Sequence, residues 1–153
     1  MNKKEKKSII NKTIEILNNG GVILYPTDTI WGIGCDATNP KAIKKIYSIK
    51  KRSSKKPLIL LMNSIDLALN YVNTLPETAR EIINNTNKPT TIIYPEPINL
   101  PSILIYQKTI AIRIIKTNYL NEMLSIFKKP ITSTSANISG SMTPEKLTEI
   151  DIE

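Results

Sequence analysis

The chain has 153 residues, a mass of 17.2 kDa and a formal net charge of +8, with 41% hydrophobic and 22% charged residues. That length suits about one domain around one core, and the longest strictly apolar run, Leu58 to Met62, is far shorter than the ~20 residues of a membrane-spanning helix. With no histidine and a single cysteine, Cys35, the composition excludes imidazole-based nucleophilic catalysis, histidine-ligated metals and an internal disulfide.

The N-terminal lysines Lys3, Lys4, Lys6 and Lys7 lead into alternating polar and apolar residues instead of the apolar block of a signal peptide, which predicts a cytoplasmic protein. Ile9, Ile10, Ile14 and Leu17 recur at helical spacing and predict a helix over 8–18, stopped by Gly20 and Gly21. Residues 22–25 read as a short buried strand running into a loop over 25–37. Asn39 and Pro40 are a cap and first-turn signal for a helix that turns Ile43, Ile46, Tyr47 and Ile49 inward and its lysines outward. A second buried strand is expected over 57–62, then a helix near Ser64 and another from about Pro76 to Asn85. Residues 90–94, 103–106, 110–115 and 131–133 are strand candidates, with a helix over 118–127 and a last one from Thr143. The order predicts a single α/β (α+β) domain over 1–153, a twisted mixed sheet covered by helices.

The positive excess is local. Residues 41–56 hold eight basic groups and no acid, while the rest of the chain balances thirteen basic against thirteen acidic residues. An acid-free cluster of this kind suits an anionic ligand, either nucleotide phosphates or an RNA backbone. The alternative is a solvated basic loop.

Three segments have the composition of a site. In 25–37, YPTDTIWGIGCDA, Thr27 and Thr29 offer hydroxyls and the glycines would let backbone approach a ligand; an ordinary loop with capping threonines is the other reading. Gly32, Gly34 and Ala37 fit GxGxxA but do not directly follow the strand and lack the acidic residue expected ~20 positions on, so no dinucleotide site is expected. In 50–58, KKRSSKKPL, the cations Lys50, Arg52 and Lys56 gather at the mouth of a strand, able to supply point charges and a bidentate guanidinium to a triphosphate. In 130–140, PITSTSANISG, a strand opens into Ser133, Thr134, Ser135, Asn137 and Ser139, a loop that can hold phosphate or ribose or form a plain Asx or Ser turn.

Taken together and in this order, YPTDTIWGIG, Lys50-x-Arg52 with Lys56 and Pro57, and Ser135-x-Asn137 with Ser139 and Gly140 resemble the YrdC/TsaC family of threonylcarbamoyl-AMP synthases. The likeness extends through NKPTT at 87–91 and AIRII at 111–115 and covers roughly residues 8–145. It implies a YrdC-like fold and a nucleotidyltransferase that joins L-threonine, bicarbonate and ATP into threonylcarbamoyl-AMP with release of pyrophosphate. It also implies Mg2+ bound chiefly through substrate phosphates, and downstream proteins that move the group onto tRNA. By the same resemblance Thr27 contacts threonine, with Ser133 and Arg113 lining that pocket. Lys50, Arg52 and Lys56 contact the ATP phosphates, Ser135 and Asn137 complete the nucleotide side, and Thr91 and Thr143 touch the nucleotide. Lys50, Arg52, Ser135 and Asn137 form the catalytic set, Asp28 and Asp36 are weak metal candidates, and no residue is assigned as a metal ligand.

The chain departs from the family pattern at Ser53, which replaces a proline, near Leu61, where a histidine is common, and at Asn87 and Lys88, which replace proline and glycine. It also stops thirteen residues after Gly140, before a C-terminal segment that gives family members a further hydroxyl and an arginine. The expectation is weaker binding of ATP or threonine, or dependence on a partner chain. Two other functions fit the same segments. One is a non-catalytic RNA- or nucleotide-binding module of this fold, with weak tRNA or RNA binding, disfavoured by an aromatic content of 5%. The other is a relative that adenylates a carbamoyl group, as in HypF-type proteins.

Overall fold

The computed structural model describes residues 2–27, 30–116 and 118–150. Helix α1, Lys3–Asn18, starts well before the first periodic apolar residue. Its start is set by a capping box: the Asn2 side chain accepts from the Glu5 N–H at 2.9 Å, and the Glu5 carboxylate accepts from the Asn2 N–H at 2.8 Å. It ends as expected, with Gly20 at φ +69° and the Gly21 N–H donating to the Ile16 carbonyl at 2.8 Å.

Strands β1 (Val22–Pro26) and β2 (Trp31–Cys35) form a hairpin, so most of the loop expected over 25–37 is a strand. The other strands are β3 (Ile59–Met62), β4 (Thr91–Pro95), β5 (Thr109–Ile114) and β6 (Ile131–Ser135). They form one mixed sheet in the order β1-β2-β6-β3-β5-β4, parallel between β3 and β5 and antiparallel elsewhere. Helices α2 (Pro40–Ile49), α3 (Ile65–Ala68), α4 (Glu77–Asn85) and α5 (Asn118–Phe127) stand near their expected places.

Two expected elements are corrected. Residues 103–106 are not a strand: Pro101 opens a 3-10 turn over Ser102–Leu104 that drops Leu104 into the core, and Tyr106 begins a tight turn whose next residues, Gln107 and Lys108, hold positive φ. The helix from Thr143 is absent from the described residues apart from a 3-10 turn over Leu147–Glu149: Pro144 is buried, but Met142, Thr143 and Leu147 are exposed, so the segment has no apolar stripe at helical spacing to pack on the core.

The sheet has a core on each face, as its alternating pattern requires. On one face Leu60, Met62, Tyr94, Ile110 and Ile112 pack with Ile43 and Ile46 of α2 and Ala79 of α4. On the other, Ile23, Leu61 and Ile131 pack with Ile10 and Leu17 of α1 and with Leu120, Leu124 and Phe127 of α5. Helices α1 and α5 are joined by the Lys6–Glu122 ion pair and a 2.7 Å hydrogen bond between the Thr13 and Tyr119 hydroxyls. They cover only part of this second face. Register places Ser133, Ile59, Ala111 and Ile93 in one row across it, and Leu61, Arg113 and Thr91 in another. Ile93 is 68% exposed there, so this side of the sheet is an open, partly polar floor. Among the described residues no helix is long and apolar enough to cross a membrane.

Candidate active site

One part of the site is a polar strip on that floor. Tyr25, 1% exposed, lies with its ring across β2, and its hydroxyl reaches β6 to donate to Ser133 Oγ at 2.8 Å. Gly32 is what admits the ring, since a Cβ there would stand 2.8 Å from Tyr25 Cε2; at Gly34 a Cβ would stand 3.2 Å from Cε1 but first meet the Thr132 carbonyl at 2.1 Å. Gly32 and Gly34 therefore serve packing, where the sequence suggested room for a ligand. Burial pushes the Tyr25 phenol well above its ordinary range, against a lowering by the Ser133 hydrogen bond and by the nearby Arg113 guanidinium, so it stays protonated and acts as a donor. Arg113, half-buried, donates from Nε to Thr91 Oγ1 at 3.0 Å across the β4–β5 pair. Arg113 also lines a cleft of about 100 Å3 under the loop 86–90, with Asn87, Lys88 and Pro89.

The other part is basic and forms where α2 ends. Its C-terminal turn closes with the Lys51 N–H on the Ser48 carbonyl and the Arg52 N–H on the Tyr47 carbonyl, both at 3.0 Å, which puts Lys51 at φ +47°. This reversal turns Lys50 inward and leaves Lys51 exposed. Lys50 is 2% exposed, and its ammonium donates to the carbonyls of Ser135 and, at 2.7 Å, Asn137, and at 3.3 Å to Asn137 Oδ1. Ser135 Oγ donates to the same Asn137 Oδ1, and the Ser139 N–H donates to the Lys50 carbonyl at 2.9 Å. The loop after β6 is thus built around one buried cation. No carboxylate forms an ion pair with it among the described residues. Desolvation, helped by the Arg52 charge, lowers Lys50 to about 8. Ser139 Oγ is buried without a hydrogen-bond partner.

Arg52 folds over the loop that follows, donating from Nε to the Lys56 carbonyl at 3.2 Å and from Nη2 to the Pro57 carbonyl at 3.0 Å. Its other N–H groups carry no hydrogen bond among the described residues and can take an anion. Lys56 is exposed, as are Lys41, Lys44, Lys51 and Lys55, while Lys45 donates to the Gly20 carbonyl at 2.8 Å.

Of the residues singled out in sequence, Lys50, Ser135 and Asn137 are in direct contact, Arg52 and Lys56 share the next loop, and Ser133, Arg113 and Thr91 lie on the floor. Thr27 is half-buried at the hairpin tip, where its hydroxyl donates to the Ile30 carbonyl at 2.6 Å and accepts from the Ile30 N–H at 3.0 Å. Thr143 is exposed and carries no hydrogen bond among the described residues. Asp28 and Thr29 lie outside the described residues. Asp36 is occupied structurally, pairing with Lys129 at 3.1 Å and accepting from the Thr38 N–H and hydroxyl. Among the described residues no cluster of three potential metal ligands occurs. Sequence reading missed Tyr25, although the Gly-x-Gly of the paired strand was the available signal for a large ring lying across it.

The sequence matches the model of the Sua5/YciO/YrdC family, described as telomere recombination, over residues 15–153. The chain belongs to this family. It is 34% identical over 149 residues to the threonylcarbamoyl-AMP synthase of Aliivibrio fischeri, covering 94% of this chain and 80% of that one. The structure of E. coli YciO superimposes with a TM-score of 0.79 at 28% identity, covering 93% of this chain and 70% of the other. P. abyssi Sua5 in complex with L-threonine shares the fold, with a TM-score of 0.83 at 24% identity; the alignment covers 93% of this chain but only 45% of the Sua5 chain.

Proposed function

We propose that this chain is an L-threonylcarbamoyladenylate synthase, a nucleotidyltransferase that consumes L-threonine, bicarbonate or CO2, and ATP. The observation that carries the reading is that β6 joins an anion-seeking end (Lys50, Arg52, Lys56 with Ser135 and Asn137) to a polar strip (Tyr25, Ser133, Arg113) on the open sheet face, in a chain of this family. Names and ligands of relatives support the substrates: synthase for the Aliivibrio fischeri protein, L-threonine for Sua5.

In this reading the threonine amine takes up CO2 as a carbamate, a carbamate oxygen attacks the α-phosphorus of ATP, and pyrophosphate leaves. Ser133 and Arg113 hold the amino acid by its oxygens, with Thr27 of the hairpin tip as a further contact to threonine. Arg52 and Lys56 face the phosphates, with Thr91 and Thr143 as further nucleotide contacts. Lys50 holds the Ser135–Asn137 loop in shape and adds positive potential where charge builds on the α-phosphoryl group. Such a site works by alignment and charge stabilisation, which need neither a histidine nor a thiol. Among the described residues the donor set offers hydroxyls, carbonyls and cations but no acidic cluster, which fits a Mg2+ carried by the triphosphate and held only lightly by protein. When bound it supplies charge neutralisation to the phosphates. The product passes, in the cytoplasm, to proteins that transfer the threonylcarbamoyl group to tRNA.

The test is pyrophosphate release by the purified chain with ATP and Mg2+, omitting L-threonine and bicarbonate in turn. Release that requires both supports the reading. Tight ATP binding without release under any condition refutes catalysis by this chain alone and favours the nucleotide-binding module.

A further inference from the structure

Ser133 Oγ, on a residue only 8% exposed, is engaged from one side by a phenol that crosses an entire strand to reach it. The Tyr25 hydroxyl has one proton and two acceptors in range, Ser133 Oγ at 2.8 Å and the Thr132 carbonyl at 3.4 Å, and the shorter contact takes it. A serine hydroxyl that accepts on one side keeps its own proton for another acceptor. The row running from Ser133 through Ile59 to Ala111, with Arg113 in the adjoining row, leads onto the open floor, so that acceptor lies on the same side as the Arg113 guanidinium. A guanidinium and a hydroxyl donor facing one point suit an anionic oxygen, and in the synthase reading the anion on this side is the carboxylate or carbamate of the amino acid. The packing serves this contact, because Gly32 leaves room for the ring where a Cβ would stand 2.8 Å from it.

We propose that Tyr25 is a positioning residue that fixes Ser133 as a hydrogen-bond donor to the carboxylate or carbamate of the amino-acid substrate; this rests on the synthase reading above. The ring contributes packing, and the hydroxyl contributes the orientation of Ser133. Loss of the hydroxyl alone leaves Ser133 free to donate elsewhere or to rotate, which weakens the amino-acid side of the site and leaves the nucleotide side intact.

The experiment compares the unsubstituted protein with Tyr25→Phe, Ser133→Ala and the double variant, reading KM and Kd for L-threonine and for ATP, with thermal melting alongside. Tyr25→Phe is expected to raise KM for L-threonine by about three- to tenfold, the scale of one lost hydrogen bond between neutral groups, with ATP affinity changed less than about twofold. The double variant should be no worse than Ser133→Ala, because Tyr25 acts through Ser133. Unchanged threonine affinity in Tyr25→Phe, equal loss of ATP and threonine affinity, or multiplied effects in the double variant would each overturn the proposal. A second measurement needs no variant: the Tyr25 hydroxyl proton, protected by burial, should give an NMR resonance that moves when L-threonine is added and stays when ATP is added alone. If the unsubstituted protein binds no L-threonine, the synthase reading fails and this inference with it. If it binds but Tyr25→Phe matches it, only this inference fails.

Discussion

Lys50 shows how burial changes what a residue can do. A lysine inside an eight-cation cluster reads in sequence as a surface charge, yet this one is 2% exposed and organises a loop through backbone carbonyls. Its lowered value has a stability consequence. Between about pH 8 and the ordinary lysine range, the folded protein has released the Lys50 proton while the unfolded chain still holds it, so stability rises with pH through this window. Relative to Lys50→Met, the unsubstituted protein should gain up to about 3 kcal/mol from pH 7 to pH 10, as measured by urea unfolding at several pH values. A difference that stays flat with pH contradicts the burial of a charged ammonium. Arg52, two residues on, retains unused donors, and Arg52→Ala should weaken ATP binding about ten- to a hundredfold by calorimetry while Lys3→Ala leaves it unchanged. Equal effects of the two substitutions would remove Arg52 from the phosphate site.

At the scale of elements, the site depends on how α2 stops and how β2 packs. The α2 terminus uses a lysine, Lys51, where the left-handed backbone favours glycine. Lys51→Gly should therefore stabilise the protein by about 0.5–1 kcal/mol in chemical denaturation, while leaving Lys50 and Arg52 on their present sides. In β2, a Cβ on Gly34 would come 2.1 Å from the Thr132 carbonyl, a backbone atom that cannot step aside. Gly34→Ala should cost about 3 kcal/mol and part β2 from β6, read as loss of amide-exchange protection at both strands. The elements that sequence reading located best, α2 and α5, carry a strong apolar stripe. Those it misread lack a periodic signal: β2 alternates with glycine, and Ser102–Leu104 and 143–150 are short or without an apolar face.

For the whole molecule, the charge is spread over two distinct surfaces. Lys50, Arg52 and Lys56 belong to the candidate site, whereas Lys41, Lys44, Lys51 and Lys55 are exposed outside it. If this exposed set meets RNA, affinity should be weak and fall steeply with salt, roughly as the number of phosphates contacted, while ATP affinity changes much less. Filter binding of tRNA from 50 to 200 mM salt, the span over which such contacts lose most of their affinity, checks this. An RNA affinity independent of salt would show that the lysines are only a solvated face.

The amino-acid sequence alone determined the fold class, the order of most elements and the three segments that make up the candidate site, because apolar periodicity, caps and unusual local composition are properties of neighbouring residues. It also excluded histidine and disulfide chemistry by count. Which side chains meet was decided only by the tertiary structure: Tyr25 touches Ser133 108 residues away, and Lys50 reaches Ser135 and Asn137 about 85 residues on. Those contacts depend on strand order and register, which place β1, β2 and β6 side by side and turn the end of α2 toward the loop after β6. Pairing of distant strands is set by the combined packing of both faces of the sheet, a constraint that no single segment contains.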